Sequence, residues 1–173
     1  MTPLEKYQQD LKRADFHYDA AQEDAVKQLQ RLFDDYIKRP QHKPSLWQRL
    51  SGKVVSPQPL LGLYFWGGVG RGKTYLVDTF YECLPGTRKL RIHFHRFMHR
   101  VHEELKQLKG VSDPLEKVAD NFKAQTDIIC FDEFFVSDIT DAMILGTLMQ
   151  ALFARGITLV ATSNIEPDGL YRN

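Results

Sequence analysis

A chain of 173 residues is long enough to bury one substantial core, and its 43% hydrophobic and 26% charged residues are the balance of a globular protein, not a disordered or fibrous one. A formal net charge of +1 excludes a bulk field that would carry the whole molecule onto nucleic acid or an anionic membrane, so any basic surface must be local. No run of about twenty apolar residues is present to span a bilayer, and the charged N-terminal region lacks the apolar stretch of a signal peptide. Cys83 and Cys130 lie inside apolar segments, as buried reduced thiols do, so the expected location is the cytoplasm.

In chain order, Asp19 to Arg39 reads as an amphipathic helix, with Val26, Leu29, Leu32/Phe33 and Tyr36/Ile37 at helical spacing. Asp19 with Gln22 resembles a capping box at its start. Pro40 to Pro59 holds four prolines and scattered charge and is expected to be a linker. Residues 1–59 thus form a leading helix and linker, and 60–173 a nucleotide-binding core. Within that core, apolar runs alternate with helical patterns: strands at Leu60–Trp66, Lys89–His95, Asp127–Asp132 and Ile157–Thr162, with helices at Lys73–Leu84, Arg96–Leu108, Asp113–Gln125 and Asp138–Arg155. This is the pattern of an α/β fold, a parallel sheet flanked by helices. Three of the strands are continuously apolar, as strands covered on both faces should be. The second alternates Leu90, Ile92 and Phe94 with Arg91, His93 and His95, which predicts a sheet-edge position with one solvated face.

Between the first strand and its helix, Gly67-Gly68-Val69-Gly70-Arg71-Gly72-Lys73-Thr74 matches G-x-x-x-x-G-K-[ST] in full. From average residue frequencies, a chance match in a chain this long is roughly one in a hundred or rarer. The glycines let consecutive backbone N–H groups turn toward phosphate oxygens, and the helix N-terminus adds positive potential. Lys73 is expected to reach the β- and γ-phosphates of ATP and the Thr74 hydroxyl to ligate Mg²⁺. Tyr75, next in the helix, is grouped with the ATP-contacting residues. A dinucleotide fold is disfavoured, because the glycine spacing differs from G-x-G-x-x-G and the second strand ends in histidines.

The third strand runs Ile128-Ile129-Cys130-Phe131 into Asp132-Glu133. A buried strand ending in two carboxylates, following a phosphate loop, is expected to set Asp132 beside Mg²⁺ and Glu133 where it can orient and deprotonate the attacking water. The last strand ends Thr162-Ser163-Asn164, and Asn164 is the candidate for contacting the γ-phosphate or the water, with Thr162 and Ser163 as weaker ones. No N-K-x-D segment for guanine exists, and the acidic pair points to hydrolysis more than to transfer onto a small acceptor.

Together these motifs make the chain resemble an AAA+ ATPase. Four longer stretches, Tyr64 to Thr74, His93 to Met98, Phe131 to Phe134 and Ala161 to Asn164, closely resemble the ZapE family of bacterial cell-division ATPases, which has mitochondrial relatives. The likeness runs from Leu60 to Asn173, with weaker similarity in the leading helix. It implies a P-loop AAA+ core, ATP and Mg²⁺ as cofactors, assembly into oligomers, and a protein partner, the FtsZ ring at the division site. It also implies a further strand, a trans-acting arginine and a helical lid, for which no residues follow Asn173, so the chain reads as a piece of a longer ATPase. Arg155 and Arg172 are better read as a helix C-terminal cation and a surface residue than as that arginine.

Several weaker signals remain. Between Thr87 and His102 lie five Arg/Lys and four His residues with no acid. His95, His99 and His102 share a helical face, but Arg96 and Arg100 interleave and oppose a cation there. The alternative function is a nucleotide-switched DNA-binding or helicase-loader module using Arg88 to Arg100, although a solvated charged face is the ordinary explanation and nucleic acid is not the expected partner. Phe97 and Met98 are candidate partner contacts. Gln22 is a candidate for reading the adenine edge, with helix capping an equally good account. Asp138 and Asp141 suit a helix start, and Phe134 and Phe135 are expected to pack.

Overall fold

The computed structural model describes residues 1–39, 62–66 and 72–163. Two helices lead: α1 (Pro3–Asp10) and α2 (Ala20–Lys38). The first is absent from the sequence expectations, although Thr2 and Glu5 close a full capping box around it and Pro3 occupies its first turn. At α2, Asp19 caps the N–H of Ala21, whereas the Gln22 side chain turns toward Gly72 instead of back onto the cap. The expected linker, residues 40–59, lies outside the described residues.

Then follow β1 (Leu63–Trp66), α3 (Lys73–Cys83), β2 (Lys89–His93), α4 (Phe94–Gln107), α5 (Pro114–Gln125), β3 (Ile128–Asp132), α6 (Ile139–Ala154) and β4 (Thr158–Ser163). All pairings are parallel, in the order β1-β4-β3-β2, so β2 lies at an edge, as its alternation predicts. That strand stops two residues short of the expected His95. Phe94 opens α4 because its ring has a better place in the core, against Phe131 and Phe134, than at the end of an edge strand.

Period-two alternation divides the core. Ile129 and Phe131 of β3, with Leu159 and Ala161 of β4, face a cluster built from α4, α5 and α6, including Phe94, Phe97, Phe122 and Leu148. Ile128, Cys130 and Val160 face the opposite way, into Tyr7 of α1, Leu29, Leu32 and Tyr36 of α2, and Val77 and Phe80 of α3. Burial pushes the Cys130 thiol up to about 12, so it packs as a small inert hydrophobe. Gly62 leads into β1 where that strand runs tightly beside β4. A Cβ there would sit on the Leu159 carbonyl oxygen, so only glycine allows the approach.

Some surface expectations change. Phe97 and Met98 are buried in the first cluster and offer no partner contact. Phe134 packs, but Phe135 is 51% exposed, because the chain turns outward after Phe134. Asp138 caps α6 through the N–H groups of Thr140 and Asp141. Arg155, at the C-terminal end of α6, pairs with Glu116 and Asp120 of α5 and donates to the Ala151 carbonyl.

Candidate nucleotide site

Gly72 precedes α3 with φ +75°, a left-handed conformation that a glycine adopts cheaply, and a side chain there would strike Gln22 Nε2. No side chain caps this helix, so its first N–H groups remain oriented for an anion. Lys73 and Thr74 begin the helix. The Lys73 ammonium donates to the Ser163 carbonyl at the end of β4, 2.9 Å away, and desolvation by burial holds it below the ordinary lysine value. Thr74 is exposed. Tyr75 points away toward the N-terminal helices: its hydroxyl donates to Asp10 of α1 at 2.6 Å, and its ring packs on Phe16. Burial and the Asp10 bond both raise its pKa. Gly67 to Arg71 and Asn164 lie outside the described residues.

At the end of β3, Asp132 shares a sheet face with Ile128 and Cys130, the face that carries α3. Both of its oxygens accept from Arg91 of β2, Oδ2 from Nε at 2.8 Å and Oδ1 from Nη2 at 3.2 Å. A further Arg91 nitrogen, Nη1, donates to Asp78 of α3. Glu133 follows with φ +55°, a conformation that costs a non-glycine residue on the order of 1–3 kcal/mol. The surrounding bonds over-determine it. Phe134 N–H donates to the Thr162 carbonyl at 2.8 Å, and Ser163 Oγ donates to the Phe134 carbonyl at 2.6 Å. The turn thrusts the Glu133 carboxylate outward, 75% exposed, with His93 Nδ1 at 3.7 Å.

The face of β2 expected to meet solvent does so at His93, which is exposed, and also meets the acidic pair through Arg91 and His93. The register sets His93 opposite Asp132 and Arg91 opposite Cys130, which brings both β2 side chains to the carboxyl end of β3. Periodicity marked these residues as polar, but only strand pairing reveals what they face. Arg91 and Asp78 are site features that sequence motifs alone did not single out, and Ser163, a weaker candidate, meets Lys73 through its backbone carbonyl.

The other basic residues of this stretch are largely engaged internally. Arg88 pairs with Asp127, Lys89 donates to the Tyr81 and Leu84 carbonyls, and Arg100 pairs with Glu104 and lies over the Phe122 ring. His102 bonds Asp141 at 2.7 Å, which takes it away from His95 and His99. Among the described residues no group of three or more His, Cys, Asp or Glu side chains is arranged to hold a metal. A hydroxyl at Thr74 and a carboxylate at Asp132 remain suitable for Mg²⁺, which takes few protein oxygens when phosphate and water complete its shell.

A parallel sheet of this order, with an uncapped glycine-led helix after β1 and an acidic pair after β3, defines a P-loop ATPase fold of the AAA+ class. Solved structures agree. Domain III of the replication initiation protein DnaA from Thermotoga maritima superposes with a TM-score of 0.56 at 18% identity, over 93% of this chain and 59% of that one. DnaI superposes with a TM-score of 0.55 at 16% identity, over 94% and 78%. In sequence, the chain matches the AFG1-like ATPase family across residues 1–173 and belongs to it. It is 56% identical over 181 aligned positions to the cell division protein ZapE of Escherichia coli K12, covering 100% of this chain and 48% of that protein. It is 44% identical over 128 positions to lactation elevated protein 1 homolog B of Danio rerio, covering 68% of this chain and 25% of that protein. The chain spans about half the length of the ZapE proteins it matches. No described helix is long and apolar enough to cross a membrane.

Proposed function

We propose that this chain is the nucleotide-binding core of a Mg-ATP hydrolase that acts on a protein partner in cell division, the FtsZ ring, from the cytoplasm and as part of an oligomer. Residues 60–173 would form that core and 1–59 its leading helix and linker. The observation that carries the reading is the meeting of motifs at one sheet edge: Lys73 bonded to the end of β4, with Asp132 and Glu133 leaving the neighbouring β3. The 56% identity to a cell division protein supports the cellular setting.

In this reading the backbone from Gly67 to Gly72 cradles the phosphates of ATP, and Lys73 exchanges the Ser163 carbonyl for phosphate oxygens. That exchange is favourable, because an anion stabilises a partly desolvated ammonium more than a neutral carbonyl does. Thr74 and Asp132 would hold Mg²⁺, which supplies charge neutralisation on the phosphate oxygens. Glu133 takes a proton from the attacking water, and its outward, strained turn leaves its carboxylate largely exposed for that task. Asn164 orients the same water or the terminal phosphate. Gln22, beside Gly72, contacts the nucleotide-binding loop from the α2 side.

Calorimetry and phosphate release on the full-length protein test this. Lys73→Ala is expected to lose ATP binding, while Glu133→Gln binds normally and turns over about 10²- to 10⁴-fold more slowly. Normal turnover in Glu133→Gln refutes the assigned base. Co-sedimentation with FtsZ filaments tests the partner separately, since absence of ATP-dependent association removes FtsZ but leaves the hydrolase.

A further inference from the structure

Arg91 bridges Asp132 at the end of β3 and Asp78 of α3 without belonging to either motif. Its planar fork grips the two oxygens of Asp132 while its remaining terminal nitrogen reaches Asp78, so one guanidinium is shared by two carboxylates. Asp78 lies one helical turn beyond Thr74 on α3, and residues four apart share a helix face. Arg91 therefore ties the helix that begins with Lys73 and Thr74 to the carboxylate at the end of β3. The Arg91 and Asp132 side chains are only 22% and 17% exposed, so solvent screens their attraction incompletely.

We infer that Arg91 is a positioning residue that fixes the Asp132 carboxylate and, as a permanent positive charge upon it, sets the Mg²⁺ concentration at which nucleotide binds; this rests on the Mg-ATP reading above. The reasoning is electrostatic. A guanidinium on Asp132 lowers the negative potential that Asp132 offers to a divalent cation, and Asp78 offsets part of that charge by drawing on the same guanidinium. Removing the arginine leaves two uncompensated carboxylates near the metal. Removing the charge of Asp78 leaves Arg91 to act on Asp132 alone. The two changes push the metal requirement in opposite directions, which a merely structural tie cannot do.

The test titrates Mg²⁺ against binding of a fluorescent ATP analogue to the full-length protein, with thermal unfolding measured alongside. Arg91→Met is expected to lower the half-saturating Mg²⁺ about three- to tenfold and Asp78→Asn to raise it by a similar factor. Arg91→Lys, which keeps the charge but loses the fork, stays near wild type in Mg²⁺ requirement while turning over more slowly. If the wild type depends on Mg²⁺ but Arg91→Met and Asp78→Asn both stay within twofold of it, the inference is wrong and the hydrolase reading stands. If wild-type nucleotide binding ignores Mg²⁺ altogether, both fall. Should Arg91→Met fail to fold, Asp78→Asn decides alone, because the Asp78 side chain is half-exposed and its loss leaves no buried gap.

Discussion

The two faces of the sheet are packed by different means. On one, five phenylalanines (Phe94, Phe97, Phe122, Phe131 and Phe134) stack and tilt against one another, with centroid separations from 4.5 Å for Phe94–Phe134 to 6.2 Å for Phe94–Phe97. On the other, leucines and valines of α2 and α3, with Tyr7, Phe33, Tyr36 and Phe80 set among them, fill the space around Ile128, Cys130 and Val160, and polar links such as Tyr75 to Asp10 fasten the N-terminal helices. The aromatic face ends at Phe134, directly after Glu133, so it clamps the turn that carries the proposed base. The mixed face carries α3, which begins with Lys73 and Thr74. A continuous ring cluster under one half of the site and mixed aliphatic and aromatic packing under the other suit a turn that must stay strained and a helix start that must accept a ligand.

Substitutions on the two faces test that contrast. The largest effect is expected from Phe131→Ala, which removes the ring touching Phe94, Phe97 and Phe134 and should cost about 3–5 kcal/mol in denaturant unfolding. Leu32→Ala on the opposite face should cost about 2–5 kcal/mol, and only Phe131→Ala should also impair turnover at temperatures where both variants remain folded. Equal kinetic damage from both would erase the distinction.

A smaller effect is expected at Asp127, which spans the end of the sheet by bonding Arg88, Lys123 and Arg39. Burial works against its ionised form, but the Arg88 and Lys123 bonds outweigh this and hold the carboxyl well below the usual range. A depressed folded-state pKa gives stability that is complete above the unfolded value, about 4, and is lost as pH falls through the folded value. Asp127→Asn should therefore cost about 1–3 kcal/mol near neutrality, with the deficit narrowing below about pH 4 in urea titrations. The smallest is Tyr75→Phe, expected to cost about 1 kcal/mol by cutting the Asp10 link while leaving ATP affinity unchanged. A large loss of affinity would mean that Tyr75 contacts nucleotide, contrary to the direction its hydroxyl takes here.

Strands and helices of the core were legible because apolar runs such as Ile128 to Phe131 and Leu159 to Ala161 are too short for helices and are bounded by polar positions. The Thr2–Glu5 box at α1 was equally readable and was passed over, since a helix of eight residues gives little periodicity to notice. Phe94 could not be assigned from its neighbours, because alternation continues smoothly through it and only tertiary packing against Phe131 ends the strand. Gln22 shows a spacing signal with two meanings: the position that completes a capping box is also the one that reaches Gly72. The partners of Arg91 depend on strand register across some forty positions of sequence, which no local pattern encodes.

Sheet order has a consequence for how the chain comes into being. Among the described residues β1 pairs only with β4, Leu63 lying opposite Val160, so the strand that leads into the phosphate loop has no neighbour until the last described strand has formed. During synthesis from the N-terminus, β1 must wait while the segment from α3 to β4 is made, and such non-local pairing is slow and exposes strand edges to aggregation. Because Lys73 is seated on Ser163 of β4, the Lys73 end of the phosphate site is not organised until β4 has been made. A nascent chain that holds ATP in this way has already joined β1 to β4.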